Sequence, residues 1–305
     1  MPIKIPGTLP AFGVLENENI FVMTEKRATT QDIRPLKIVI LNLMPTKIVT
    51  ETQLLRLLSN SPLQVELTLM KTASYTPKNT PEEHLTSFYR EFSEIKDLRF
   101  DGLIVTGAPV EDMAFDEVAY WEEICRIFEW SKTNVYSSLF ICWAAFAAYK
   151  YFYGIEKQPL EQKLSGVFKH RVTMPSHPLV RGFDELFYAP HSRKTTVNID
   201  DVRSVQTLDV LADSERAGIY LAADHDMRRI FVTGHPEYDY DTLKNEYFRD
   251  LSRGLSPKIP ENYFPYDNPE NRPVNFWKGH ANLLYGNWLN YFVYQRTPFD
   301  LADLK

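Results

Sequence analysis

The sequence predicts an α/β fold in which a mostly parallel sheet is flanked by helices. Two observations carry this prediction. Between residues 36 and 142, short apolar runs alternate with segments of helical period. That alternation is typical of a parallel sheet with helices on both faces. Several of the runs also end in chemically useful residues, and ligands of such sheets bind beyond the carboxyl ends of the strands.

The individual elements follow from local patterns. Strands are predicted over residues 36–44, 65–70, 100–107, 136–142 and 229–235. Helices are predicted over residues 45–58, from Thr80 onward, over 117–130, over 241–251 and, in an aromatic segment, over 275–296. Pro45 is acceptable in a first helical turn, and the acidic residues after Thr80 favour a helix start. Residues 166–224 are β-rich, and 254–275 are a loop rich in proline and asparagine.

Three regions are expected from this order of elements. Residues 1–35 contain four prolines and little periodicity, which is typical of an arm on the body or on a partner subunit. Residues 36–253 form the predicted catalytic domain. Residues 254–305 form a predicted C-terminal extension that packs on that domain.

Composition excludes several classes of function. The chain has 305 residues, is 44% hydrophobic and carries a formal net charge of -6, without the basic stripe of a nucleic-acid binder. The two cysteines, Cys125 and Cys142, are too few for a disulfide framework and favour a reducing compartment. No apolar run reaches the roughly 20 residues of a membrane span, and the first residues lack a signal-peptide core. We therefore expect a cytoplasmic protein, with no membrane or nucleic-acid partner and Cys125 buried in a helix.

Cys142 is the strongest candidate catalytic residue. It follows the apolar run Tyr136–Ile141, and a helical pattern begins directly after it. A thiol at a strand-to-helix turn lies at a helix N-terminus, where the dipole and free N–H groups stabilise a thiolate. The alternative, an ordinary buried thiol, does not account for this position.

His235 and Glu237 complete a possible triad. They follow the apolar strand at 229–235 in the order His-Pro-Glu. An extended chain would point the two side chains to opposite faces, but Pro236 breaks the extension. Glu237 would then hold His235 in the tautomer that a general base needs. Alone, His235 would be read as a loop imidazole; with Cys142, it predicts covalent acyl transfer.

Gly107 follows a third buried strand, in the turn Gly107-Ala-Pro. It is either a plain turn or the source of a backbone N–H for an oxyanion hole shared with the N–H of Trp143. The other histidines have no metal-ligand spacing, and no glycine-rich phosphate motif is present. We therefore predict no metal and no bound cofactor.

Longer motifs make the chain similar to a known family. These are residues 21–28, 31–36, 41–45, 106–111, 141–143, 189–193 and 233–239. Together they resemble the homoserine O-acyltransferases of methionine biosynthesis, a family of O-succinyltransferases and O-acetyltransferases. The resemblance covers nearly the whole chain. It implies a flavodoxin-like fold of the class I glutamine-amidotransferase type, with an N-terminal arm and a C-terminal helical extension.

The resemblance also implies roles for individual residues. Cys142 would accept the acyl group from acyl-CoA in a ping-pong reaction, with His235 as the base. Lys163, Ser192 and Arg249 match positions that bind the amino-acid substrate, and a guanidinium suits its carboxylate. Without the family, Lys163 and Arg249 would be read as solvated charges. Lys47, at the start of the first helix, is a weaker candidate.

Glu111 predicts the acyl donor. The family has glutamate here in acetyl users and glycine in succinyl users, and a glutamate would repel the free carboxylate of a succinyl group. The sequence therefore implies acetyl-CoA as co-substrate and L-homoserine as acceptor. One departure is Phe146, where the family has glutamine. It lies one helical turn after Cys142 and puts the turnover rate in question.

Three other functions stay open at this point. A homoserine O-succinyltransferase is the alternative donor choice. A glutaminase or amidotransferase of the same fold would use the same Cys and His-Pro-Glu, although the chain has no synthetase segment. A sensor or scaffold would have lost activity through the change at position 146. The family resemblance implies a homodimer.

Overall fold

The computed structural model describes residues 3–17, 22–23, 34–75 and 79–304. Much of the motif at 21–28, the start of the motif at 31–36 and part of the predicted arm lie outside these residues. In the described part of the chain, no helix is both long and apolar enough to cross a membrane. Nor do these residues contain a cluster of three or more His, Cys, Asp or Glu side chains arranged for a metal ion.

Twelve strands in the described residues form one sheet. They are β1 Ile3–Lys4, β2 Val22–Met23, β3 Leu36–Leu41, β4 Val65–Lys71, β5 Tyr89–Glu91, β6 Phe100–Val105, β7 Val135–Ile141, β8 Gln158–Val172, β9 Leu186–Thr196, β10 Leu208–Ser214, β11 Gly218–Asp224 and β12 Arg229–Val232. Their order is β2-β1-β4-β3-β6-β7-β12-β11-β10-β8-β9, with β5 beside β4. All neighbours from β2 to β12 are parallel, and those from β12 to β9 are antiparallel.

Helices cover both faces of this sheet. They are α1 Pro10–Asn17, α2 Lys47–Leu58, α3 Glu82–Phe88, α4 Phe92–Ile95, α5 Trp121–Asn134, α6 Trp143–Tyr153, α7 Ile199–Ser204, α8 Thr242–Ser252 and α9 Lys278–Asn287, which continues as a π-helix over Trp288–Tyr294. One hydrophobic cluster joins the sheet to α1, α2 and α9, and a second joins it to α5 and α6. The predicted α/β class and mostly parallel sheet are confirmed.

The C-terminal segment packs directly on the centre of the sheet. Trp288 is fully buried, and its indole N–H donates to the hydroxyl of Ser137 at 3.0 Å. Gly102 of β6 makes room for it, since a Cβ there would lie 2.9 Å from the Trp288 ring and 2.7 Å from Ile38. Arg99 also donates to backbone carbonyls of the last turn, including that of Leu304 at 3.0 Å.

Some element bounds differ from the predictions. The helix predicted over residues 117–130 begins at Trp121, because residues 115–117 form a separate 3₁₀ turn. Cys125 on this helix is only partly buried, so its prediction as a buried thiol is wrong. The described part of the predicted arm contributes β1 to the sheet beside β4, and α1 buries Ala11 and Leu15. The domain boundaries at 35 and 253 stay predictions.

Candidate active site

Cys142 lies in a sharp turn between β7 and α6. Its backbone has φ 50° and ψ −115°, a left-handed conformation that a residue with a side chain rarely adopts. The turn is held on both sides: the Cys142 N–H donates to Val232 at 2.7 Å, and the Cys142 carbonyl accepts from Ala145 at 2.9 Å. The thiol therefore stands at the N-terminus of α6, where the first amides have no acceptor within the helix.

His235 and Glu237 form a buried pair after β12. His235 Nδ1 lies 2.7 Å from Glu237 Oε1, and both side chains are 3% exposed. Glu237 therefore fixes the tautomer and leaves Nε2 for the thiol side. The Tyr238 ring stacks on the imidazole with centroids 4.1 Å apart, and the His235 N–H donates to the Pro190 carbonyl at 2.8 Å.

The charges around His235 and Cys142 shift the pKa values of both groups. Burial lowers the pKa of His235, but the negative charges of Cys142 and Glu237 raise it more, so that it lies well above the ordinary value. Burial raises the pKa of the Cys142 thiol, and the positive charges of His235 and Arg193 oppose that rise. The net pKa of the thiol stays raised, while the negative charge of a Cys142 thiolate and the positive charge of His235 stabilise each other.

Glu111 reaches the nucleophile from the loop after β6. The Cys142 Sγ lies 3.7 Å from Glu111 Oε1. The other carboxylate oxygen accepts the Lys194 backbone N–H at 2.6 Å, and Lys157 Nζ donates to the Glu111 carbonyl. Burial raises the pKa of the Glu111 carboxyl, while Lys194, His235 and Arg193 work against that rise. A group transferred to Cys142 would therefore lie close to this carboxylate.

A cavity of about 260 Å³ joins the sequence-predicted residues. Those that line it are Gly107, Glu111, Cys142, Lys163, Ser192, His235 and Arg249. Glu237 lies behind His235, and the Trp143 side chain is buried, which leaves only its backbone N–H for the predicted oxyanion hole. The structure therefore brings the predicted residues to one place.

One part of the cavity lining is highly charged. Ser192 Oγ donates to Glu246, which also accepts the Tyr238 hydroxyl at 3.0 Å. Lys163 Nζ lies 3.5 Å from Glu246 and 3.4 Å from Asp250, and Asp250 accepts two hydrogen bonds from Arg249. Paired cations and carboxylates on one wall suit a zwitterion such as an amino acid.

Several residues of the site were missed by sequence reasoning. They are Tyr238, Glu246, Asp250 and Lys194. The spacing of Glu246, Arg249 and Asp250, at i, i+3 and i+4, was a usable signal because such residues share one face of a helix. Nothing in the sequence pattern indicated that the Lys194 amide would hold Glu111.

Lys47 lies outside this cavity. It lines a neighbouring space of about 160 Å³ that shares Met44, Pro45 and Pro109 with the first. Its ammonium donates to the Asn42 carbonyl, the residue is 4% exposed, and burial lowers the pKa of the ammonium to about 8. Lys47 therefore does not line the cavity that contains Cys142.

Gly107 is in contact with both the nucleophile and the base. A Cβ at this position would lie 3.3 Å from Cys142 Cβ and 3.4 Å from His235 Cε1. Gly107→Ala is therefore expected to displace Cys142 and His235 slightly from each other and to lower kcat by about 10-fold, less than the roughly 100-fold that a displacement of about 1 Å costs. Steady-state kinetics on folded protein would check this.

Gly279→Ala is the matched control. Gly279 lies within α9 with no atom within 4 Å of an added Cβ. Alanine there should leave kcat unchanged and raise stability by up to about 1 kcal/mol. Equal kinetic effects of the two changes would contradict the placement of Gly107.

Comparison with solved structures identifies the structural class of the fold. The structure matches a glutamine amidotransferase from Thermotoga maritima with TM-score 0.55 at 11% identity, covering 84% of this chain and 98% of that one. It also matches a glutamine amidotransferase from Methylobacillus flagellatus with TM-score 0.52 at 12% identity, covering 85% and 95%. At these identities the likeness is one of fold, which is of the class I glutamine-amidotransferase type.

Sequence comparison identifies the family. The model of the homoserine O-succinyltransferase family matches residues 2–299, and the chain belongs to that family. It is 60% identical over 305 residues to a homoserine O-acetyltransferase of Acetivibrio thermocellus, covering 100% of both chains. It is 58% identical to one of Thermotoga petrophila, covering 100% of both, and 55% identical to one of Petrotoga mobilis, covering 100% of this chain and 98% of that one.

Proposed function

We propose that this protein is an L-homoserine O-acetyltransferase that uses acetyl-CoA. Homoserine O-acyl transfer follows from its family, and its full-length relatives at 55–60% identity carry the acetyltransferase name. The single observation that favours the acetyl donor is the Glu111 carboxylate 3.7 Å from the nucleophilic sulfur. An acetyl group ends in a methyl group that this carboxylate does not repel, whereas a succinyl group ends in a second carboxylate.

The first half of the proposed reaction loads the enzyme. His235 Nε2 takes the thiol proton of Cys142, and the thiolate attacks the carbonyl carbon of acetyl-CoA. The Gly107 and Trp143 amides would stabilise the oxyanion. The C–S bond to CoA then breaks, CoA leaves as a thiol with the proton from His235, and an acetyl thioester remains on Cys142.

The second half transfers the acetyl group to the acceptor. His235 takes the proton of the homoserine hydroxyl, and that oxygen attacks the Cys142 thioester. The C–S bond breaks, the thiolate regains a proton from His235, and O-acetyl-L-homoserine leaves. Glu237 keeps the imidazole oriented through both halves by its 2.7 Å contact.

The charged wall of the cavity would hold homoserine. Arg249 would bind the carboxylate, and Glu246 would bind the ammonium group, while Ser192 and Lys163 keep Glu246 in place. A homodimer, a cytoplasmic location and the absence of a bound cofactor stay predictions from the sequence.

Product identification tests this function. The purified protein is incubated with homoserine and either acetyl-CoA or succinyl-CoA, and separately with glutamine alone. We expect O-acetylhomoserine and no ammonia. Faster turnover of succinyl-CoA would overturn the donor, and ammonia from glutamine would favour an amidotransferase.

Arg249→Met should weaken acceptor binding. Loss of a charge-assisted hydrogen bond costs about 1.5–3 kcal/mol, so the KM for homoserine is expected to rise about 10- to 100-fold. The rate of acetyl-enzyme formation, measured by CoA release in a single turnover, should change little.

Arg253→Met is the control, because Arg253 is exposed one turn further along the chain. It should leave both values unchanged. A loss of acetyl-enzyme formation in Arg249→Met alone would place Arg249 on the donor side instead.

A further inference from the structure

Arg193 is a cation sealed inside the protein beside the active site. Its side chain is 1% exposed. The guanidinium donates to the backbone carbonyls of Thr195 and Ala217, and its Nε lies 3.3 Å from His191 Nδ1. Within the described ranges, no carboxylate forms an ion pair with it.

This arrangement is costly as a purely structural feature. Arginine is almost never fully buried without a charged partner, because its desolvation is expensive. Burial lowers the pKa of Arg193 to about 10, which leaves it cationic at neutral pH. Its imidazole neighbour is neutral, since burial and the positive charge of Arg193 hold the pKa of His191 well below its ordinary value. Among the described residues, its hydrogen-bond partners are thus all uncharged.

The guanidinium lies next to the first turn of the helix that begins after Cys142. Alternation along β9 puts Ser192 on the cavity side and Arg193 on the opposite side. The guanidinium carbon lies 5.7 Å from the centroid of the Phe146 ring. Phe146 is fully buried one turn below Cys142, and its N–H lies 3.3 Å from the Cys142 carbonyl. Across this ring, the negative charges of Cys142 and Glu111 favour the charged guanidinium and raise its pKa against the effect of burial.

We propose that Arg193 is a positioning residue whose buried charge, held over the Phe146 ring, stabilises the Cys142 thiolate and the Glu111 carboxylate. Its catalytic meaning rests on the proposed function, but thiolate formation does not require a substrate. Glu111 opposes the thiolate, and protonated His235 favours it. His191 and, 3.0 Å beyond it, His170 face Arg193 as neutral rings.

The test measures how readily Cys142 loses its proton. Alkylation by iodoacetamide is followed against pH without substrate, and the Cys142 peptide is quantified by mass spectrometry so that Cys125 does not interfere. In Arg193→Gln the pH midpoint of Cys142 alkylation should rise by about one unit, the usual effect of losing a nearby charge. Arg193→Lys keeps the charge and should restore most of that shift.

Arg216→Gln is the matched control. Arg216 also lies over a phenylalanine ring, 6.0 Å from the centroid of Phe168, but its side chain is 63% exposed. Its replacement should leave the midpoint unchanged. An unchanged midpoint in Arg193→Gln, with folding verified by circular dichroism, would overturn the proposal.

A second measurement uses the unaltered protein. Between about 0.05 M and about 1 M salt, a buried charge is screened little, whereas exposed cations such as Lys194 and Arg249 are screened strongly. The midpoint should therefore move by less than about 0.2 pH units. A rise of about half a unit or more would assign the stabilisation to surface cations and sink the proposal. If Arg193→Gln raises the alkylation midpoint but the unaltered protein does not acetylate homoserine, the role of Arg193 stands and only the proposed function fails.

Discussion

Replacing Cys142 with alanine should lower the rate of acetyl transfer by at least about 10⁴-fold, as removal of a nucleophile does in other covalent enzymes. It should also abolish the acetyl adduct that intact-protein mass spectrometry detects after mixing with acetyl-CoA. The reason is geometric. Among the described residues, the cavity that contains His235 also contains one thiol, and that thiol stands at the N-terminus of α6.

Cys125→Ala is the control for this experiment. Cys125 is partly buried on α5, and burial raises the pKa of its thiol. Its replacement should leave both the rate and the adduct unchanged. An adduct that persists in Cys142→Ala, or one that moves to Cys125, would show that the acyl group is held elsewhere.

Glu111→Gly should change the preferred donor. The ratio of kcat/KM for succinyl-CoA to that for acetyl-CoA is expected to rise by about 100-fold. Two like charges about 5 Å apart repel by about 3 kcal/mol at an effective dielectric of about 20, and that energy corresponds to a factor of about 100. Competition kinetics with both donors in one reaction would measure the ratio directly.

Glu111→Gln separates charge from size in this test. Glutamine keeps the volume of the side chain and its bond to the Lys194 amide, so a similar rise in the ratio would identify charge as the cause. A rise with glycine and none with glutamine would identify space instead. An unchanged ratio in both variants would contradict the role of Glu111.

The strands at the centre of the sheet could be predicted from the sequence because their burial is local. Every residue of β6 is buried, and apart from Asp101, which pairs with Arg34, the strand is an apolar run with a sharp end. The strand ends then placed Gly107, Cys142 and His235 on one rim. The bend at Pro236 was also predictable, and the 2.7 Å contact of His235 with Glu237 agrees with it.

Other features depend on contacts that no local pattern records. The Tyr238 ring reaches His235 through the path of the chain after Pro236, and Arg193 looks like a surface residue in the sequence. Its burial follows from tertiary contacts, among them those with the Phe146 ring and the Ala217 carbonyl. The short strand Ile3–Lys4 has too few residues for any periodicity, and its place beside β4 is set by tertiary pairing.

Strand β9 contacts both the catalytic base and the glutamate beside the nucleophile. Its Pro190 carbonyl holds the backbone of His235, and four residues on its Lys194 amide holds Glu111. A substitution such as Glu111→Gly, made to admit a bulkier acyl donor, also removes the hydrogen bond that Glu111 accepts from the Lys194 N–H. The same strand carries Pro190, whose carbonyl holds His235. A variant with a larger donor pocket would therefore need another hydrogen-bond acceptor for the Lys194 N–H, so that β9 and the His235 imidazole keep their positions.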